Sequence, residues 1–169
     1  MSNKINEFIR ALGGGIRGNR FQVILNLPGG VRGDTRTLDL MCRATSIPSM
    51  ETGIIEIPYF GKQRKISGDE RAAGEWSITA FLNNKGDLAT AKKIADQWQK
   101  LAAESSNIDE YITDGQIAVL DPRTDAPILS YDIKGVWVST SGELALSQDS
   151  VDEILEFELS LQYDDVIAR

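Results

Sequence analysis

Few groups in this chain could carry chemistry, and their types limit what it can do. There is no histidine and a single cysteine, Cys42, so the commonest general base, the commonest metal ligand and any internal disulfide are absent together. Carboxylates remain. Asp109, Glu110 and Asp114 gather before Gly115, but the spacing does not meet a twelve-residue calcium loop, and a solvated acidic turn accounts for them. Asp152, Glu153, Glu156 and Glu158 imitate a paired-carboxylate site. Glu156 and Glu158 nevertheless alternate onto one strand face, with no apolar setting visible that would raise a catalytic pKa. Gly13, Gly15 and Gly18 match G-x-G-x-x-G in letters only. A dinucleotide fingerprint has a strand before it and a helix after it; here the order is reversed, and the glycines read as a hinge. No nucleophile elbow or P-loop occurs, so neither an enzyme nor a cofactor is expected.

The bulk composition points the same way. A chain of 169 residues suits one domain with a core of its own, and 41% hydrophobic with 25% charged residues disfavours disorder. The net charge of −7 argues against a module that grips phosphate by counterion release. It leaves room for a conduit whose carboxylates repel a sliding polyanion, although ordinary solubility explains mild acidity more simply. No apolar run is long enough for a bilayer, so no membrane insertion is expected. Lys4, Glu7 and Arg10 interrupt the N-terminal apolar residues and no small-residue cleavage site follows, which predicts a chain made in and used from a cytoplasm.

The elements that must position these residues can be taken in order. Residues 4–12 predict a short amphipathic helix with Ile5, Phe8, Ile9 and Leu12 on one face, inside a flexible segment 1–18. Phe21, Val23 and Leu25 alternate as a first strand, ending at Pro28-Gly29-Gly30 before a polar, mobile loop to Arg36. Leu38, Leu40, Cys42 and Ala44 predict a second strand, with Cys42 as a small buried hydrophobe. Trp76, Ile78, Ala80 and Leu82 turn inward on a central strand while Ser77, Thr79 and Phe81 turn out. Asp87 is the expected N-cap of a flanking helix, 87–105, whose apolar stripe runs through Leu88, Ala91, Ile94, Ala95, Trp98, Leu101 and Ala102. Strands follow at 116–120, at 128–138 with a break or bulge at Gly135, and at 143–146. Leu155, Phe157, Leu159, Leu161 and Tyr163 make the last and longest. Seven or eight strands with one helix favour a small antiparallel sandwich or barrel.

One stretch fits no self-contained core. Gly53–Ile57 and Gln63–Ile66 are β-prone runs joined by Pro58, Tyr59, Phe60 and Gly61, which predicts a hairpin or long paired loop within 47–75. Its apolar residues lack clean alternation and Lys62, Arg64 and Lys65 crowd the return arm, so one chain alone has difficulty burying it on one side, which a neighbouring subunit could do.

That stretch also carries a resemblance. The runs S-I-P, G-I-I-E-I-P-Y-F-G-K-Q-R-K-I-S-G-D and E-W-S-I-T resemble the tail tube proteins of contractile-tailed, T-even-like bacteriophages. So do N-R-F-Q-V at Asn19–Val23, C-R-A-T-S-I-P at Cys42–Pro48, G-V-W-V-S-T-S-G-E-L at Gly135–Leu144 and D-E-I-L-E-F-E-L-S-L-Q-Y-D near the end. The blocks are collinear over nearly the whole chain. Glu70-Arg71-Ala72-Ala73 and Asp165-Val166 stand where the family usually has aromatics.

The resemblance implies a mainly β fold: two packed antiparallel sheets, a flanking helix and a long hairpin loop in one domain, 1–169. It further implies hexameric rings stacked into a hollow tube inside a contractile sheath, conducting viral DNA without specific binding. Sheath, baseplate and tail terminator proteins would be partners, the virion tail the location, and the host cytoplasm the place of assembly. Ile54, Ile57, Tyr59, Phe60, Lys62, Arg64 and Lys65 are the expected inter-subunit contacts. Glu156, Glu158, Ser77 and Thr79 are candidates for the lumen, and Lys92, Lys93, Gln97 and Lys100 for the sheath. Three other readings stay open: the tube of a contractile injection or type VI secretion system passing protein, a baseplate or tail-end cap, and a monomeric ligand-binding barrel.

Overall fold

The computed structural model describes residues 2–84, 89–149 and 151–169. The elements are α1 (Ser2–Leu12), β1 (Phe21–Leu25), α2 (Thr35–Met41), β2 (Cys42–Thr45), β3 (Met50–Tyr59), β4 (Lys62–Ala73), β5 (Glu75–Phe81), α3 (Thr90–Glu104), β6 (Thr113–Leu120), β7 (Pro127–Ser141), β8 (Glu156–Gln162) and β9 (Asp165–Ala168). A 3-10 turn, Ile108–Glu110, leads into β6. The strands pair antiparallel in the order β1-β6-β7-β8-β5-β2, with β9 beside β7 and the hairpin β3-β4 as a separate ribbon. The mainly β, antiparallel architecture expected from the sequence is therefore present.

β7 is shared by two sheets. Its first part pairs with β6 on one side and β9 on the other, and its second part pairs with β8. Gly135 sits where the two parts meet, at φ +70, and the β6 register shifts opposite it. A β-carbon at Gly135 would run into the Asp164 carboxylate, so only glycine allows the bulge.

Alternation on β5, β7 and β8 builds the core. Trp76, Ile78, Ala80, Val136, Val138, Phe157, Leu159 and Leu161 are buried, and α3 adds Ala91, Ile94, Ala95 and Trp98 to the same cluster. Both buried indoles find acceptors, as buried Trp N–H groups must: Trp76 donates to Thr45 Oγ1 at 2.9 Å and Trp98 to the Tyr111 carbonyl at 2.8 Å.

Several expectations are corrected. Residues 35–41 are helical, not the start of a strand, because Asp34 caps the turn by accepting from the Arg36 N–H at 2.9 Å. Leu38 is buried while Leu40 is 70% exposed, and half-buried Met41 and Cys42 follow at helical spacing. Cys42 is thus half-buried; desolvation, then the Asp39 charge, pushes its thiol up to about 11. The loop taken as mobile is packed instead: Val31 is buried, and β-carbons at Gly30 and Gly33 would press on Leu101 and Ile94 of α3. No strand forms at 143–146, and β8 stops at Gln162, leaving β7 the longest strand. β9 was not foreseen. α3 begins at Thr90, whose N–H donates to Asn83 Oδ1; the expected Asp87 cap and Leu88 lie outside the described residues.

The bulge gives a direct test. Gly135→Ala should lose about 1–3 kcal/mol in urea unfolding, from positive φ plus the Asp164 contact. Gly29→Ala, with nothing near its β-carbon, should change little.

Candidate assembly interfaces

The hairpin is longer than its sequence signature and stands off the body. Met50 pairs with Ala73 at its base and Tyr59 with Lys62 at its tip. The two turn residues, Phe60 and Gly61, have φ of 46 and 72, as a type I′ connection requires. Near the base, Thr52 faces Arg71 but Ile54 faces Ser67, so β4 carries extra residues there. Gly53 and Gly68 meet at that irregularity, where a β-carbon on Gly68 would lie 3.1 Å from the Gly53 carbonyl carbon. At the base, Tyr163 Oη accepts from the Gly74 N–H at 3.1 Å and donates to the Ser49 carbonyl, tying the ribbon to the end of β8.

Register divides the expected contact residues between two faces. Ile57, Tyr59, Lys62 and Arg64 share one face, which also holds Ile55 and Ile66, two residues the sequence reading did not include. Ile54 and Lys65 lie on the other, where Glu56 pairs with Lys65 at 3.9 Å and accepts from Gln63 at 3.0 Å. Phe60, at the tip, is 87% exposed and packs edge-on to Tyr59. Among the described residues, neither Lys62 nor Arg64 has a carboxylate within ion-pair distance. The ribbon thus presents one apolar, cationic face without an internal partner.

A second candidate surface is the outer face of β5 and β8. Thr79 lies opposite Glu158 and Ser77 opposite Ser160, so all four sequence candidates share this face. Glu156 sits at its end and is matched by Arg43 at 3.1 Å, which leaves Glu158 as the unneutralised charge. The third surface is α3, where one expectation is corrected. Lys92 does not face solvent: its ammonium donates to Ser141 Oγ and the Gly142 carbonyl, both at 2.7 Å, and lies 5.4 Å from the Phe157 ring centre. Its aliphatic stem is long enough to reach the sheet edge from the flank of the helix. Lys93, Gln97 and Lys100 remain on the exposed side, with Gln97 also accepting from the Arg32 N–H.

The chemistry-like clusters do not converge. Asp114 pairs with Lys134 at 3.0 Å, and among the described residues no group of acidic or thiol side chains could hold a metal. Among the described residues the one perturbed carboxylate is Asp39, raised from its ordinary 3.8 to about 6 by desolvation, with Asp34 adding repulsion and a Leu25 main-chain hydrogen bond opposing both. Its Oδ1 is buried without a hydrogen-bond partner.

Comparison with known proteins supplies what the geometry does not. No family model matches the chain. Tail tube protein gp19 of Enterobacteria phage T6 is 31% identical over 175 residues, covering 95% of this chain and 97% of that protein. The chain belongs to the tail tube protein family. Tail tube protein gp19 of Enterobacteria phage T4 is 29% identical over 171 residues, with the same 95% and 97% coverage. In fold, this tail tube protein matches a chain of an extracellular contractile injection system, the PVC sheath-tube complex in its extended state, at TM-score 0.67 and 14% identity. That match covers 96% of each chain. The two phage relatives are both tail tube proteins.

Asp39 gives this family member a pH signature. Because its folded pKa lies above its ordinary value, the ionised group destabilises the fold, so stability is full below about pH 4 and falls as pH rises through about 6. Asp39→Asn should therefore raise stability at pH 8 by on the order of 1 kcal/mol, discounted for partial exposure, and give no gain at pH 4. Urea titrations at the two pH values check the sign.

Proposed function

We propose that the chain is the structural subunit of a phage tail tube, with copies closing into six-membered rings that stack into a hollow conduit for the viral genome. The observation that carries this reading is the end-to-end similarity to a T-even tail tube protein. The geometry supports an assembly mechanism. The sheet path ends at β1 and β2, each paired on one side only among the described residues, and such open edges invite a neighbour's backbone. The hairpin reaches to a neighbouring copy through Ile54, Ile57, Tyr59, Phe60, Lys62, Arg64 and Lys65.

In this reading the β5-β8 outer face lines the channel. Glu158, Ser77 and Thr79 give a polar, weakly repulsive wall with nothing to hold DNA, and Glu156 is muted by Arg43. The exposed Lys93, Gln97 and Lys100 on α3 meet a sheath. Baseplate and terminator proteins cap the two ends. The subunit carries out no catalysis, is assembled in the host cytoplasm and ends in the virion. A second reading, an injection-particle tube passing protein, draws on the likeness in fold to the PVC sheath-tube complex.

Negative-stain electron microscopy over a concentration series tests the proposal. Rings with six-fold symmetry or hollow rods are expected, and a chain whose residues 54–67 are replaced by a short turn should stay a folded monomer. Rods of normal stability from that truncated chain would remove the hairpin from the mechanism. A wild-type protein that stays monomeric with a baseplate nucleus present would remove the assembly itself.

A further inference from the structure

We propose that the apolar, cationic face of the hairpin seats in an acidic cleft at the opposite end of β5 and β8 on a second copy of this chain. The inference rests on the assembly reading above and adds the surface that receives the hairpin.

The cleft encloses about 890 Å³ between the ends of β5 and β8 and the chain that precedes β8. Phe81, Leu146, Ile154 and Leu155 give it an apolar lining, and Leu146 and Ile154 are 76% and 69% exposed. Residues 142–156 contain Glu143, Asp149, Asp152, Glu153 and Glu156 and no lysine or arginine. Arg43 already neutralises Glu156. The rim carboxylates left without an ion-pair partner among the described residues are Asp152 and Glu153. Asp152 is held at φ 61, a left-handed turn that aspartate tolerates better than most residues. Against these stand Lys62 and Arg64, likewise unpaired, flanking Ile55, Ile57, Tyr59 and Ile66. Two cations around an apolar strip match two carboxylates around an apolar hollow.

Direction decides between copies. β5 and β8 pair in register from Glu75 with Gln162 at one end to Phe81 with Glu156 at the other. The hairpin is fixed to the first end by Tyr163, and the cleft opens at the second, about 20 Å away along the strands. A chain's own hairpin therefore leaves from the wrong end for its own cleft. A second copy displaced along the strand direction brings tip and cleft together. Helix α1 is the other candidate occupant, with Ile5, Phe8, Ile9 and Leu12 exposed beside Lys4 and Arg10. Its end at Leu12 and the glycines that follow lie beside Asp121–Arg123, away from the cleft's own lining, whereas the hairpin's root is hydrogen-bonded to Tyr163.

Cross-linking in a Cys42→Ser background tests the contact. Tyr59→Cys with Leu146→Cys, oxidised under assembly conditions, should give a ladder of covalent multimers on a non-reducing gel, while Ile9→Cys with Leu146→Cys should give none. In the charge arm, Asp152→Lys with Glu153→Lys should raise the concentration needed for rods by about tenfold or more, and adding Lys62→Glu with Arg64→Glu should recover most of it. A ladder from the Ile9→Cys pair alone would place the helix in the cleft and overturn the proposal, as would an internally closed monomer. Rods that form normally without a Tyr59→Cys ladder overturn it while leaving the assembly reading intact. A wild-type chain that forms no rings or rods overturns both.

Discussion

One strand serving two sheets is the constraint on which the rest of this molecule depends. β7 gives its first part to β6 and β9 and its second to β8, and the change of partner occurs at the glycine that lets Asp164 pass close by. Val136 and Val138, just past that bend, are buried together with Trp76 and Trp98. The buried residues of β5, β7, β8 and α3 then form a single cluster, to which α2 and the loop before it are fastened through Leu38 and Val31.

The same body leaves apolar surface that it cannot cover. A two-stranded ribbon has no second layer, so the isoleucines of β3 and β4 are exposed however the monomer folds. In the single chain that apolar surface stays in contact with water. The carboxylates follow the same division. Those beside cations on the body, such as Asp114 with Lys134 and Asp132 with Arg169, steady local geometry, while Asp152 and Glu153 are exposed and have no ion-pair partner among the described residues.

Much of this was legible in the chain. The alternation of Phe157, Leu159 and Leu161, the inward Trp76, Ile78 and Ala80, and the stripe through Ala91, Ile94 and Trp98 each reported its burial, because a regular element imposes its own period. Failure came where two periods coincide over a short span. Leu38, Leu40 and Cys42 alternate like a strand, yet the capping carboxylate of Asp34 makes the turn helical and puts Leu40 outside. β9 is too short to show any period. The inward Lys92 could not be foreseen, since a lysine's stem reaches several ångströms from its backbone position. The hairpin was visible, but its division into faces was not: between the two-residue turn at Phe60-Gly61 and the register shift beside Gly53, the pairing from Ile54 with Ser67 to Tyr59 with Lys62 sorts the side chains.

That register shift also makes the hairpin a lever. Gly53 and Gly68 are the place where the ribbon's heading is set, with no side chains to wedge it, and the tip lies about 20 Å beyond. A turn of about 10° at this fulcrum sweeps Tyr59 and Phe60 through about 3 Å, roughly one residue's rise along a strand. Small adjustments at two glycines thus translate into whole steps at the tip.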